Sequence, residues 1–159
     1  MKKLNNIGIE TEQAQKLAEG LQELLAGYQV FYANVRGFHW NVRGEKFFEL
    51  HLKFEELYND LIVKIDEIAE RILTLGFAPE FRYSQYLALA KIREAGQTTE
   101  GTKNVESLLE SFSLLIAKQR ELLELADEAG DEGTNSLMSD YIREQEKLVW
   151  MYSAFLHRN

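Results

Sequence analysis

Apolar residues recur every third or fourth position through four long stretches of this chain, and a single proline, Pro79, interrupts its 159 residues. An α-helix returns to the same face every 3.6 residues, so this spacing paints one apolar stripe on each of four helices. The first stripe runs Leu17, Leu21, Leu24, Tyr28, Phe31, Val35, Phe38, and the second Phe47, Leu50, Phe54, Leu57, Leu61, Ile65, Ile68, Ile72, Leu75. Val105, Leu108, Phe112, Leu115, Leu122 and Ala126 mark the third, and Leu137, Tyr141, Leu148, Met151 and Phe155 the fourth. Gly76 and Pro79 stop the second helix, and the run GDEG at 130–133 separates the third from the fourth. The connection 76–101 is long for a bundle, and its middle, SQYLALAKIREA, carries an apolar stripe of its own that predicts a short helix. The expected architecture is all-α. It is a four-helix bundle at 10–159 with a long crossover between helices two and three, preceded by a short N-terminal tail at 1–9.

The residue inventory excludes several chemistries. With no cysteine there are no disulfides, thiolate metal sites, iron–sulfur clusters or cysteine nucleophiles, which suits a reducing, cytoplasmic setting. MKKLNNIGIE has two lysines but no apolar core of a signal peptide, and no run approaches the roughly 20 apolar residues that span a bilayer. A net charge of −8 argues against a simple nucleic-acid binder.

Three histidines occur, and one of them, His39, sits inside the doublet NVRG-FHW-NVRG at 34–44. The first NVRG falls within the helix-one stripe; the second follows it and reads as a turn ending at Gly44. His39 and Trp40 therefore close helix one, where a histidine serves either as a cap favoured by the helix dipole or as a metal ligand. His157, next to Arg158 at the C-terminus, reads as a surface or packing residue.

Helix two adds a constraint. One face is purely charged (Lys46, Glu49, Lys53, Glu56, Asp60, Lys64, Glu67, Arg71) and reads as the solvent side. The opposite flank carries Phe48, Leu52, Tyr58, Ile62, Val63, Ala69 and Leu73, a second apolar surface that implies a second partner, another subunit. Set within it are His51, Glu55, Asp66 and Glu70. Buried carboxylates need compensation, by a neighbour's cations or by a metal. His51 and Glu55 are one turn apart, as are Asp66 and Glu70, but His51 and Asp66 are separated by about 22 Å of helix. Two antiparallel copies resolve this. The pairs 51/70 and 55/66 share a midpoint between residues 60 and 61. A two-fold axis there sets His51 against Glu70 of a second subunit and Glu55 against Asp66, giving two equivalent clusters that His39 can join. Imidazole and carboxylate without thiolate suit Fe(II), Mn(II) or Zn(II). The ordinary di-iron bundle, with Glu-x-x-His pairs inside one bundle, is excluded: Arg36, Phe48 and Ala154 stand three residues before the histidines.

FHWNVRGEKFFELHLKFEELY followed by DEIAER, and EKLVWM in helix four, resembles the signature of the Dps-type mini-ferritins, the DNA-binding proteins from starved cells. The resemblance covers nearly the whole chain. It implies a twelve-subunit hollow shell with ferroxidase centres at two-fold interfaces, with His39 and His51 from one chain, Asp66 and Glu70 from the other, Glu55 as a nearby acidic residue and Trp40 beside the iron. It further implies oxidation of Fe(II) to Fe(III), preferentially by hydrogen peroxide rather than oxygen, and ferric mineral storage. Trp40 then either intercepts a stray oxidising equivalent or simply packs. The same resemblance puts the acidic turn of Asp127, Glu128, Asp131 and Glu132 at a three-fold pore, which otherwise is a solvated turn; Ser136 stands where the family often has an aspartate. Many members bind DNA through a Lys- and Arg-rich tail. Here that tail offers only Lys2 and Lys3 before helix one, so DNA binding near neutral pH is not expected, with a nucleoid-protecting DNA binder as the alternative function.

Overall fold

A computed structural model describes residues 1–158. Five helices follow in order: α1 Thr11–Asn41, α2 Phe47–Thr74, α3 Tyr83–Leu89, α4 Gly101–Glu128 and α5 Glu132–Phe155. Strand pairing among the described residues is limited to two isolated bridges, Leu4 with Glu10 and Arg43 with Glu100. The four long helices form the bundle: α1 packs along α2, α4 along α5, and α1 also meets α3 and α4.

The α1 stripe from Leu17 to Phe38 is buried throughout, as are Leu50, Phe54, Leu57, Leu61, Ile68 and Ile72 of α2 and the whole α4 stripe. Two turns use the same device. At the end of α2, Gly76 (φ +99) donates to the carbonyl of Leu73, and Phe77 to that of Ile72. At the end of α4, Gly130 (φ +69) donates to Asp127, and Asp131 to Ala126. A left-handed residue is what lets these paired bonds absorb the helix's orphan carbonyls, and glycine adopts it without Cβ strain. Asp131 then opens α5, its carboxylate accepting from the amide of Thr134.

The structure departs from expectation in three places. The buried face of α5 runs through Thr134, Met138, Tyr141, Gln145 and Tyr152, so Met151 is exposed and Leu137, Leu148 and Phe155 are only partly covered. The reason is a polar ring in the bundle centre. Tyr28 donates to Gln119 (2.5 Å), Gln145 donates to Tyr28 (2.6 Å) and Gln119 donates to Gln145 (2.9 Å). Every member finds a partner, which is what makes buried polar side chains tolerable. Burial raises the Tyr28 phenol far above its ordinary range, so the ring is neutral.

The charged face of α2 is not all solvent. Lys64 is only 4% exposed and bridges Asp60 and Glu144, both at 2.8 Å; Glu67 accepts from the Tyr141 hydroxyl; Arg71 meets Asp131 at 2.6 Å. Apart from the Lys64–Asp60 pair within α2, these contacts join α2 to α5 and its N-cap. The crossover helix is also shorter than expected, ending at Leu89. The side chain of Asn34 donates to the carbonyl of Arg93 and accepts from the amide of Ala95, holding that segment along α1, while Ile92 is buried over Gly27.

The first residues fold back as a closed loop: Thr11 donates to the carbonyl of Lys3, and Asn5 bonds the amides of Ile7 and Ile9 and the carbonyl of Leu75.

Candidate metal centre

α1 ends at Asn41, the chain turns through Gly44, and α2 starts at Phe47, so the last turn of α1 lies beside the second turn of α2. A backbone bond from Arg43 to the carbonyl of Thr99 ties this corner to the start of α4. The corner holds two histidines face to face. The rings of His39 and His51 stack with centroids 3.8 Å apart and planes 12° apart, and Phe47 stacks on His51 at 4.9 Å. Nδ1 of His39 donates to the carbonyl of His51 (2.6 Å), and Nδ1 of His51 to the carbonyl of His39 (2.8 Å). A carbonyl oxygen can only accept, so both Nδ1 atoms carry a proton, and the neutral tautomer this selects has its lone pair on Nε2. The carbonyl of His39 is one of the orphan acceptors at a helix C-terminus, so the contact completes the helix as it orients the His51 ring. His39 closes α1, and its Nε2 lies 3.8 Å from Glu55 Oε1.

Asp66 and Glu70 lie further along α2, both exposed. The negative charge of Asp66, one turn away, holds the Glu70 carboxyl above the usual carboxylate range, and a hydrogen bond between the two acts in the same direction. A cation between them would offset that repulsion. Among the described residues of one chain, no three His, Asp or Glu side chains converge as a complete metal site. His39 meets His51 and Glu55 pairwise, and Asp66 and Glu70 lie apart from them. The flank joining the two halves is bare: Phe48 is 82% exposed and Val63 57%, with Leu52, Ile62 and Leu73 also open. Tyr58 and Ala69, expected on this flank, are half-buried, and Tyr58 stands edge-on to His39 with centroids 5.3 Å apart. Trp40 is 64% exposed, with the Arg36 guanidinium 4.8 Å over its ring.

The acidic turn divides. Asp127, Glu128 and Glu132 are exposed, as is Ser136. Asp131 is 2% exposed and committed to Arg71 and the Thr134 amide, so it builds the turn and is not available to line an opening. Its pattern, an aspartate three residues before Thr134 at a helix start, was readable as an N-cap. His157 is exposed and closes α5 with φ 60. The centre of the bundle, where an ordinary di-iron site would sit, holds the neutral ring of Tyr28, Gln119 and Gln145.

A long-helix bundle with imidazoles at one corner and a carboxylate pair on the same exposed flank defines a ferritin-like protein. The ferritin-like domain family matches residues 11–158, and the chain belongs to that family. The DNA protection during starvation protein of Porphyromonas gingivalis is 46% identical over 156 residues, covering 98% of each chain. A Vibrio cholerae O1 crystal structure superposes with a TM-score of 0.95 at 58% identity over 96% of both chains; it is described as a Dps protein of a broad superfamily of ferritin-like diiron-carboxylate proteins. A Dps protein from Bacillus brevis superposes at 0.89 with 37% identity, covering 91% of this chain and 97% of the other. The chain is a Dps-type mini-ferritin.

Proposed function

We propose that this chain is an iron-storage and detoxification protein. It oxidises Fe(II) to Fe(III), preferentially with hydrogen peroxide and otherwise with oxygen, at centres shared by two subunits, and stores ferric mineral in a hollow dodecamer. The observation that carries this reading is the reciprocal pair of histidines, which leaves two Nε2 lone pairs at the end of an uncovered apolar flank. The names of the Porphyromonas and Vibrio relatives support it.

On this reading each centre takes His39, His51 and Glu55 from one subunit and Asp66 and Glu70 from its partner, related by a two-fold axis near residues 60–61. Anionic carboxylates favour Fe(III) over Fe(II), and so few protein ligands leave positions open for a second iron and the oxidant. Two Fe(II) ions, one peroxide and two protons give two Fe(III) ions and two waters, so both electrons reach the peroxide without release of hydroxyl radical. The donor set also accepts Zn(II) or Mn(II). Asp127, Glu128 and Glu132 would draw cations toward an entrance.

Protection on this account comes from removing iron and peroxide in the cytoplasm, not from coating DNA. Twelve subunits at −8 each repel phosphate, Lys2 is 3.2 Å from Glu10, and the N-terminal loop is closed on itself. No helix among the described residues is long and apolar enough to cross a membrane. Purified protein mixed with Fe(II) and either peroxide or oxygen tests the activity by the growth of Fe(III) absorbance. Co-sedimentation with plasmid at about 150 mM salt tests the DNA claim. Failure to oxidise iron, or tight complexes lost on replacing Lys2 and Lys3 by Ala, would reverse the respective statement.

A further inference from the structure

His51 is the less protected of the two imidazoles. His39 is 6% exposed, with the His51 ring stacked on it and Tyr58 edge-on, whereas His51 is half-buried at the edge of the bare α2 flank. A side chain in that position moves among rotamers unless both of its torsions are held. One hydrogen bond, from Nδ1 to the carbonyl of His39 at 2.8 Å, fixes a point on the ring and leaves its plane free to swing about that point.

Stacking holds the plane. The His51 ring lies on His39 with planes 12° apart and on Phe47 with planes 19° apart, at centroid distances of 3.8 and 4.9 Å. Phe47 stands one helical turn before His51, so the two side chains share a face of α2. Its own position is set twice. Phe47 is the first residue of α2, and its amide donates to the carbonyl of Gly44, whose φ of +108 shapes the corner. Its ring is half-buried against the core. A flat face fixed in this way accepts a second ring only in a narrow range of tilts.

We infer that Phe47 is a positioning residue for the metal centre: it holds the His51 imidazole in the plane and tautomer that present Nε2 to an ion. The consequence for iron oxidation rests on the ferroxidase reading above, whereas the fixed ring belongs to the metal-free chain. A ligand already in its bound orientation loses less rotamer freedom when the ion arrives. Groups that orient a metal-bound imidazole contribute on the order of ten- to hundredfold in affinity. The stack on Phe47 acts on His51 and leaves His39 held by burial and by its own bond to the carbonyl of His51.

The test uses the full-length assembled protein in wild type, Phe47→Leu and Phe47→Tyr forms. Leucine keeps an apolar side chain against the core without a flat face, and tyrosine keeps the face. Three readouts are followed: the proton position on each imidazole by nitrogen-resolved NMR without metal, Co(II) affinity by its visible absorption, and the Fe(II) dependence of oxidation. In Phe47→Leu the His51 proton should divide between Nδ1 and Nε2 while His39 keeps its proton on Nδ1. Co(II) affinity should fall about tenfold. The half-saturating Fe(II) concentration should rise, with the rate at saturation close to wild type. Phe47→Tyr should behave as wild type in all three. Phe47→Met, which fills the space with a flexible chain, carries the same prediction where leucine prevents assembly. An unchanged His51 tautomer with unchanged Co(II) affinity in Phe47→Leu overturns the inference. So does an equal loss in Phe47→Tyr, or equal loosening of His39, which would mean that the corner and not the stack had failed. A freed His51 and weakened Co(II) binding in Phe47→Leu, with no Fe(II) oxidation even in wild type, would support the positioning role and overturn the ferroxidase reading.

Discussion

His39 and His51 orient each other through their own backbones, each Nδ1 donating to the other's carbonyl at 2.6 and 2.8 Å. The arrangement specifies one tautomer for both rings before any metal binds. Nitrogen-resolved NMR of the metal-free protein, at a pH where the rings are neutral, should find the proton on Nδ1 in each. A proton on Nε2 of either ring would mean that the site is not preorganised for ligation.

The exposed apolar flank of α2 is expected to be the two-fold contact. Replacing Val63 by Arg should leave the helical content of the subunit intact and reduce the assembled species seen by sedimentation, because a charge is placed where an apolar surface must be desolvated. Fe(II) or Zn(II) should strengthen the wild-type contact at low protein concentration, since a ligand of the assembled form alone stabilises it by mass action. Identical dissociation with and without metal would count against a shared centre.

What the sequence made legible follows from the physics of each element. The α1 stripe is apolar in every turn, so counting recovers its phase. The α5 stripe is misphased because Thr134 and Gln145, which look like surface residues, are buried by hydrogen bonds across the bundle that no local pattern reveals. Lys64 and Arg71 mislead in the same way: their ion-pair partners, Glu144 and Asp131, lie on another helix. SQYLALAKIREA has helical spacing to its end, yet Asn34, 59 residues before Arg93, holds the second half out of the helix. The spacing of His51, Glu55, Asp66 and Glu70 displayed a two-sided arrangement on one helix, but the mutual bonding of His39 and His51 depends on the corner at Gly44, and Tyr58 read only as another apolar residue.

Asp131 should prove structural. Asp131→Ala removes both the α5 cap and the partner of Arg71, and should cost about 2–4 kcal/mol in denaturant unfolding of the subunit. Asp131→Asn keeps an acceptor for the Thr134 amide and should lose less. Equal, negligible losses in both variants would return Asp131 to the exposed acidic group with Asp127 and Glu132.

Stability should fall on the alkaline side. Burial pulls the Lys64 ammonium down, but hydrogen bonds and charge from Asp60 and Glu144 outweigh it, so its pKa is raised. Its contribution is therefore complete below the ordinary lysine value of about 10.4 and is lost as pH rises through the folded value. Burial also raises the phenols of Tyr28 and Tyr141, and that of Tyr152 to about 12. These groups stay protonated in the fold where the unfolded chain would lose protons, so they weaken the fold over the same range. Urea midpoints should drop above about pH 10, less steeply in Lys64→Met. A flat profile to pH 11 would contradict the buried bridge.

The shared centre is tested most directly by mixing two inactive subunits. His51→Ala and Asp66→Ala should each assemble normally and oxidise Fe(II) with peroxide at least about tenfold more slowly than wild type. In shells reassembled from equal amounts, each mixed pair has one centre with both ligands intact and one with neither, so about a quarter of all centres should recover. Recovery of that size is the predicted result. Mixed shells no faster than their parents would show that the centre is not shared between subunits, and single variants as fast as wild type would show that these residues do not oxidise iron.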